Sequence, residues 1–136
     1  ELEVARGTED PVAECEALGN VGMCLRATGA YAEAQQYHED QLRFAVQNKD
    51  PISEAQAYSH LGDVLSCMGR HQRALGHYEK DLALSQTSQD LAGQARAQAG
   101  LGNAYHSLGK YQRALQAHTQ QLAAWRQIPD RAGEAC

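Results

Sequence analysis

Apolar and small residues recur along this chain at a fixed spacing of 40 positions. The segment LGNAYHSLGKYQRAL, residues 101–115, has counterparts in LGDVLSCMGRHQRAL, residues 61–75, and VGMCLRATGAYAEAQ, residues 21–35. A period of this length is typical of repeat proteins, in which each unit buries its apolar face against neighbouring units. The spacing therefore predicts a stack of similar units. Three identical columns carry it: Gly22, Gly62 and Gly102; Gly29, Gly69 and Gly109; and Ala34, Ala74 and Ala114.

The residue pattern within each unit predicts two antiparallel α-helices. An aspartate starts every unit and suits a helix N-cap, because its carboxylate accepts hydrogen bonds from the free N–H groups at a helix start. Pro11 and Pro51 follow at the first helical position, where no N–H is needed. The Gly29 column closes the first helix in the left-handed conformation, and a second helix is expected to start within two residues. The aspartates are Asp10, Asp50, Asp90 and Asp130.

The Gly22 column lies in the middle of the first helix, where glycine costs about 1 kcal/mol relative to alanine. Its recurrence predicts close packing between the two helices of a unit, with the bare backbone received near the Ala34 column. On the second helix, His38 shares its column with Tyr78 and His118, which indicates a packing position.

The register divides the chain into three full repeats with partial repeats at both ends. We expect the tail of a preceding repeat at 1–10, full repeats at 11–50, 51–90 and 91–130, and the start of a further repeat at 131–136. The chain is thus interpreted as a piece of a longer array. With three prolines and 6% aromatic residues, it is expected to fold as an all-α solenoid of antiparallel helix pairs.

The formal net charge of -5 is unevenly distributed. Residues 1–50 carry ten acidic and four basic side chains, whereas residues 91–136 carry two acidic and five basic ones. An acidic chain without a basic run gives no reason to expect nucleic-acid binding. No apolar run approaches the roughly 18 residues of a membrane span, and the N-terminus lacks the pattern of a signal peptide. Four cysteines without a CxxC pair indicate reduced thiols, which favours a cytoplasmic location.

The histidines and one Ser-His-Asp set are the candidates for chemistry, and neither predicts a reaction. No two of the six histidines stand i, i+4 and no HExxH is present, so no metal or other cofactor is expected. Ser59, His60 and Asp63 lie within one predicted helix, where His60 points about 100° away from the face that the other two share. A catalytic relay cannot form there, so the chain is not expected to be an enzyme.

The order Leu-Gly, an apolar residue three positions on, Gly, Tyr or His, and then Ala resembles the tetratricopeptide repeat. That repeat usually has about 34 residues, whereas phrases such as LGNAYHSLGKYQRAL look like the forty-residue variety in the LGN/Pins family of cell-polarity adaptors. The resemblance implies a right-handed superhelix. Its concave groove, lined by the first helices, would bind an extended or helical segment of a partner protein.

The resemblance also implies which residues line the groove. In LGN-like arrays, asparagines hold the partner backbone and arginines meet its acidic side chains, and the matching residues here are Asn20, Asn103 and Arg96. Arg96 and Asn103 are either partner contacts or solvated residues of a helix face. The columns of Asn20 and Asn103 hold other residue types elsewhere, so the groove is less uniform than the family pattern. The remaining groove candidates are Glu16, Met23, Arg26, Gln56, Ser59, His60, Asp63, Ser66, Ala99 and His106.

Two functional hypotheses follow. The first is a non-enzymatic protein–protein interaction module in a larger cytoplasmic scaffold or adaptor, binding a protein or peptide segment that is acidic where it meets Arg96. The alternative is self-association, in which the acidic N-terminal end docks on the basic C-terminal end of another copy, a contact that tends toward filaments or rings. Trp125 either packs against a further repeat or contacts a partner. A third reading, a regulatory array on an enzyme, concerns other domains.

Overall fold

The computed structural model describes residues 10–129, which form six α-helices and contain no β-strand. The predicted all-α fold is confirmed. Residues 1–9 and 130–136 lie outside the described part, and with them the predicted N-terminal tail, Asp130 and the start of a further repeat. The helices are α1 Pro11–Ala27, α2 Tyr31–Gln47, α3 Pro51–Cys67, α4 His71–Thr87, α5 Leu91–Ser107 and α6 Tyr111–Arg126.

The first helices of the three pairs, α1, α3 and α5, begin at the predicted aspartates. Asp10, Asp50 and Asp90 each accept a hydrogen bond from the backbone N–H three residues later, at 3.2, 3.2 and 3.1 Å respectively. Such a cap satisfies a donor that the first helical turn leaves free and is worth about 1 kcal/mol. The predicted helix starts are therefore confirmed for all three pairs.

Residues in the left-handed conformation end five of the six helices. Gly29, Gly69 and Gly109 have φ values of 89°, 78° and 78° and close the first helices, as predicted. The second helices α2 and α4 end in the same way, but at Lys49 and Gln89, with φ values of 54° and 57°. A residue with a side chain pays about 1–2 kcal/mol in this region. Neither position was predicted, because its residue type does not mark it.

The helices form two layers. Each helix packs against the next along the chain, and in addition α1 contacts α3 and α3 contacts α5. Within residues 10–129, the second helices α2, α4 and α6 make no such contact with one another. Because the first helices lie closer together than the second helices, they form the inner, concave layer of the stack.

The mid-helix glycines receive aromatic rings from the second helices. A Cβ atom built on Gly22 would lie 2.5 Å from the His38 ring, and one built on Gly62 would lie 2.7 Å from the Tyr78 ring. Gly102 meets the ring of His118 in the same way. Close packing at these glycines is confirmed. The contact differs from the prediction in its position. The glycines meet the rings one helical turn beyond the alanine column, because the rings fill the space above the bare backbone.

The apolar core is centred on the second and third helix pairs. Leu65, Leu75, Tyr78 and Leu101 are buried together with Ala74, and the cluster extends to residues of α5 and α6. It joins α3, α4, α5 and α6 in one contiguous packing unit. The first pair is attached to this unit through the packing of α2 and α1 on α3.

Candidate partner-binding surface

The predicted groove residues lie on the three first helices, which form the concave layer. Twelve of the thirteen reach the surface at least in part, while Ser59 does not. Glu16, Asn20, Met23, Asn103 and His106 are exposed, whereas the others are partly buried. We call the following set the first-helix surface: Glu16, Asn20, Met23, Arg26, Gln56, His60, Asp63, Asn103 and His106.

Ser59 is buried and does not belong to this surface, since its exposed fraction is 3%. The same column holds Gly19 in α1, where an added Cβ would lie 3.0 Å from the Gln41 amide. This column therefore faces the second helices, which explains its small residues. The predicted contact between Ser59 and a partner is corrected accordingly.

Arg96 is held by an ion pair inside the chain. Its Nε atom lies 3.0 Å from Asp81 Oδ2 and its Nη2 atom 2.7 Å from Asp81 Oδ1, so the pair is bidentate. The Asp81 side chain is 0% exposed, and it also accepts a hydrogen bond from Ser85 Oγ at 3.0 Å. Arg96 thus crosses from α5 to α4 and neutralises a buried carboxylate. Its predicted role toward an acidic partner competes with this structural role.

Gln41 joins two histidine rings beneath the surface. Its Oε1 atom lies 3.1 Å from His38 Nδ1 and 3.2 Å from His60 Nδ1, so both rings donate to one amide oxygen. The ring centroids are 4.7 Å apart. Burial lowers the pKa of His38, and burial, followed by His38 and the nearby arginines, lowers the pKa of His60 to about 4. The pair is therefore uncharged at neutral pH.

Asp63 is positioned by Tyr78 from the second layer. The Tyr78 hydroxyl donates to Asp63 Oδ1 at 2.6 Å. Its ring lies between Gly62 and Gly100, and a Cβ on either glycine would overlap it. Burial raises the pKa of Asp63, while the Tyr78 hydrogen bond and the charges of Arg26 and Arg96 oppose that rise. The bare Gly100 position, which departs from the asparagine of its column in the first repeat, is thus required by the Tyr78 ring.

Arg26 is a cation of the first-helix surface without an ion-pair partner in residues 10–129. It lies in the last turn of α1, and its Nη1 atom is 3.8 Å from the sulfur of Cys67 at the end of α3. Its charge acts on Asp63 and His60, which places it close to the middle of the surface.

The polar residues that support the surface from the second helices were not predicted. Gln41, Asp81 and Gln121 share one column, and each makes a side-chain hydrogen bond. Gln41 bonds to His38 and His60, Asp81 to Arg96, and Gln121 to His118. The sequence did contain a signal for them, because a polar residue recurs at this position on the apolar face of each second helix. It indicated buried hydrogen bonds, which polar groups require when removed from water.

Membrane-spanning helices and metal-binding clusters are both absent from residues 10–129. None of the six helices is both long and apolar enough to span a bilayer. Across residues 10–129, no three His, Cys, Asp or Glu side chains are grouped as metal ligands.

Fold and surface together define an α-solenoid repeat protein, built from helix pairs whose first helices share one face. A family model described as "Tetratricopeptide repeat" matches residues 13–87 and again residues 53–127. The chain belongs to the tetratricopeptide repeat family. Domains of this family are typically non-catalytic protein-interaction modules.

Solved structures support the same fold. The chain is similar to the tetratricopeptide repeat domain of Arabidopsis FLU, with a TM-score of 0.77 and 21% identity over 86% of this chain and 98% of that one. It is also similar to the Podosopora anserina putative kinesin light chain repeats, with a TM-score of 0.69 and 17% identity. That match covers 91% of this chain and 62% of the other. No curated protein matches the chain.

Proposed function

We propose that the first-helix surface binds an extended or helical segment of a partner protein, within a larger cytoplasmic scaffold or adaptor of the LGN/Pins-like variety. The observation that supports this proposal is that Arg26 forms no ion pair in residues 10–129. Its charge acts on Asp63 without forming such a pair. It shares α1 with the exposed Asn20 and Met23, which offer a hydrogen-bonding amide and an apolar side chain. A partially desolvated arginine of this kind favours a carboxylate, which it can hold by two parallel hydrogen bonds.

The other groups of the surface suit a peptide backbone. Asn20 and Asn103 each offer an amide that can donate and accept, and both are exposed, on α1 and α5 respectively. Because α1, α3 and α5 lie side by side, a segment crossing them would meet Asn20, Arg26 and Asn103 in one binding event. The proposed ligand is therefore a segment with an acidic side chain that contacts Arg26. Arg96 supports the surface by holding α5 on α4.

Peptide display against the 136-residue chain, followed by affinity measurement by fluorescence anisotropy, tests this proposal. Arg26→Gln should weaken a selected acidic peptide roughly tenfold or more, because charge-assisted hydrogen bonds contribute about 1.5–3 kcal/mol. Arg73→Gln removes an exposed arginine from α4, outside the concave layer, and should leave the affinity unchanged. Arg26→Glu should restore binding to a peptide whose acidic residue is replaced by lysine.

Two outcomes would contradict the proposal. If no displayed peptide binds the first-helix surface, this surface is not a peptide site. If Arg26→Gln and Arg73→Gln weaken binding equally, the effect is that of overall charge, and Arg26 makes no specific contact.

Self-association, the alternative hypothesis, involves different surfaces. In that hypothesis the acidic N-terminal end of one copy docks on the basic C-terminal end of another.

A further inference from the structure

A cavity opens between α5 and α6, on the side of α6 that faces the preceding helix pair. Its volume is about 550 Å³, a size at which proteins bind ligands, and three residues of α5 and four of α6 line it. Ala117, one of these residues, is buried in the cluster that also contains Leu75 and Tyr78 of α4. We call this space the third-pair cavity. It lies inside the array and not on an end face.

The second pair, α3 and α4, has its own side chains at the counterpart of this cavity. The columns of three lining residues hold Tyr58, His77 and Lys80 there. The ring centroids of Tyr58 and His77 are 6.1 Å apart, and Lys80 Nζ lies 5.3 Å from the centroid of the Tyr58 ring. The geometry of a pair therefore accommodates a phenol ring beside a cation at this place.

The third pair carries smaller or unringed side chains in the same columns. Gln98 stands in the column of Tyr58, Ala117 in the column of His77, and Gln120 completes the set. Neither of the two rings of the second pair is retained. The third-pair cavity thus follows from the loss of these rings, and a ring supplied from outside the chain would replace them.

The floor of the third-pair cavity suits an aromatic group. Leu101 and Ala117 are apolar and each only 6% exposed. Tyr105, also part of the lining, is partly buried and packs against the same buried cluster. Aromatic rings gain from packing on apolar side chains and from offset or edge contacts with another ring. An incoming ring would find both kinds of contact here.

The rim of the cavity is basic and rich in amides. Arg113 Cζ lies 5.9 Å from the centroid of the Tyr105 ring, which is a cation–π distance. Gln116 and Gln120 add amides that can donate and accept hydrogen bonds. None of the seven lining residues is acidic, and α6 carries no acidic residue at all. The charge of the rim is therefore complementary to a carboxylate.

We propose that the third-pair cavity binds a tyrosine-like side chain of a partner protein, flanked in the partner sequence by an acidic residue. The ring would pack on Leu101, Ala117 and Tyr105, at the place that Tyr58 occupies in the second pair. The neighbouring carboxylate would pair with Arg113, whose guanidinium can hold it by two hydrogen bonds. The glutamine amides of the rim would bond to the backbone of the partner segment.

This site is separate from the first-helix surface. The two share no residue, and on α5 the residues Asn103 and His106 of the first-helix surface point to another side of the helix than Leu101 and Tyr105. The inference is therefore independent of the proposed function, and either can fail alone.

Titration of the 136-residue chain, followed by nuclear magnetic resonance of its backbone amides, tests the inference. The probe is an acetylated and amidated tripeptide with a tyrosine between two aspartates. Amide signals of α5 and α6 around Gln98 and Ala117 should shift on its addition. A tripeptide with alanine in place of the tyrosine, and one with asparagines in place of the aspartates, should each bind roughly tenfold more weakly or less.

Variants of the chain separate the role of the ring from that of the cation. Gln98→Tyr combined with Ala117→His introduces the residues of the second pair, fills the cavity and should weaken binding of the probe roughly tenfold or more. Arg113→Gln should have a similar effect, because it removes the charge-assisted hydrogen bonds. Arg73→Gln changes the same column of α4 and should leave the affinity unchanged. Circular dichroism verifies that each variant is folded.

Three outcomes would overturn the inference. The first is that no amide signal around the cavity shifts up to the solubility limit of the tripeptide. The second is that the filled double variant binds the tripeptide as the natural chain does. The third is that Arg26→Gln abolishes binding while Arg113→Gln retains it, which would assign the tripeptide to the first-helix surface. Shifts around the cavity that persist in Arg26→Gln and disappear in the filled variant would support it.

Discussion

The Asp81 carboxylate is fully buried, and its pairing with Arg96 determines what either side chain can do. A buried charge is costly unless an opposite charge and further hydrogen bonds compensate it. Both forms of compensation are present, from the guanidinium of Arg96 and the hydroxyl of Ser85. Removal of one partner leaves the other charge uncompensated, so Arg96 contributes to stability before it contributes to any binding.

We expect Arg96→Met to lower the free energy of unfolding by about 3 kcal/mol, because Asp81 stays buried without its partner. Urea unfolding followed by circular dichroism measures this change. The exposed pair of Arg43 and Asp40, whose side chains are 61% and 40% exposed, provides the control. Arg43→Met should cost less than about 1 kcal/mol. Equal losses in the two variants would show that Asp81 does not need the guanidinium.

His60 makes stability depend on pH. Its pKa is about 4 in the folded chain, against about 6.5 for an unperturbed histidine. The unfolded chain therefore takes up a proton first as pH falls. The stabilisation from neutral His60 is fully present above about pH 6.5 and is lost as pH falls through about 4, by about 3 kcal/mol in total.

Replacement of His60 by glutamine should flatten this part of the pH dependence. Free energies of unfolding measured between neutral pH and pH 4 in the natural and variant chains give the comparison. His106→Gln, which changes an exposed histidine of the same surface, should retain the natural slope. If His60→Gln keeps the natural slope too, the pKa of His60 is not depressed.

At the scale of the helices, the fit between mid-helix glycines and rings fixes how the two members of a pair approach. The rings of His38, Tyr78 and His118 occupy the space over Gly22, Gly62 and Gly102. An added methyl group would have to displace a ring that other contacts hold in place. Tyr78 is held by its hydroxyl on Asp63, and His38 by Gln41.

Gly62→Ala should lower the free energy of unfolding by about 1–3 kcal/mol although alanine favours helix, because its Cβ would lie 2.7 Å from the Tyr78 ring. Gly76 is the matched control. It lies in α4 with no atom within 4 Å of an added Cβ, so Gly76→Ala should raise the free energy by about 0.5–1 kcal/mol. Thermal unfolding of both variants measures the two opposite shifts. A higher free energy of unfolding in both variants would contradict the packing role of Gly62.

The sequence predicted the fold from local signals that recur, and it predicted the candidate site less well. Asp10 and Gly29 mark helix ends because each supplies a local interaction, and their 40-residue spacing gave the repeat. The ion pair between Arg96 and Asp81 was not predictable in this way. Its partner Asp81 is 15 residues away on another helix, and neither residue type nor periodicity indicates which partner an arginine binds.

At the scale of the whole molecule, stability is distributed along the stack. Each pair contacts its neighbours, and the buried cluster around Leu65, Leu75, Tyr78 and Leu101 lies in the second and third pairs. In arrays of this kind, stability is the sum of local terms and nearest-neighbour interfaces. A helix with one neighbouring pair is therefore held less firmly than a helix between two pairs.

Hydrogen exchange followed by mass spectrometry should show the slowest exchange in α3, α4 and α5. Amides of α1 should exchange faster, because its outer face is exposed and the helix opens without disrupting the central cluster. The measurement is made at low protein concentration, so that contact between chains does not protect the end helices. Uniform protection across all six helices would contradict this distribution and indicate a single cooperative unit.

The second layer reaches through the first to shape the concave face. The Tyr78 hydroxyl positions Asp63, and the Gln41 amide orients His60, although both residues belong to helices of the convex side. Under the proposed function, the partner preference of the concave face therefore depends in part on residues of the convex layer. A different ring at position 38 or 78 would change how His60 or Asp63 is held while every residue of the first-helix surface stays the same, so substitutions in the convex layer are a route by which that surface diversifies.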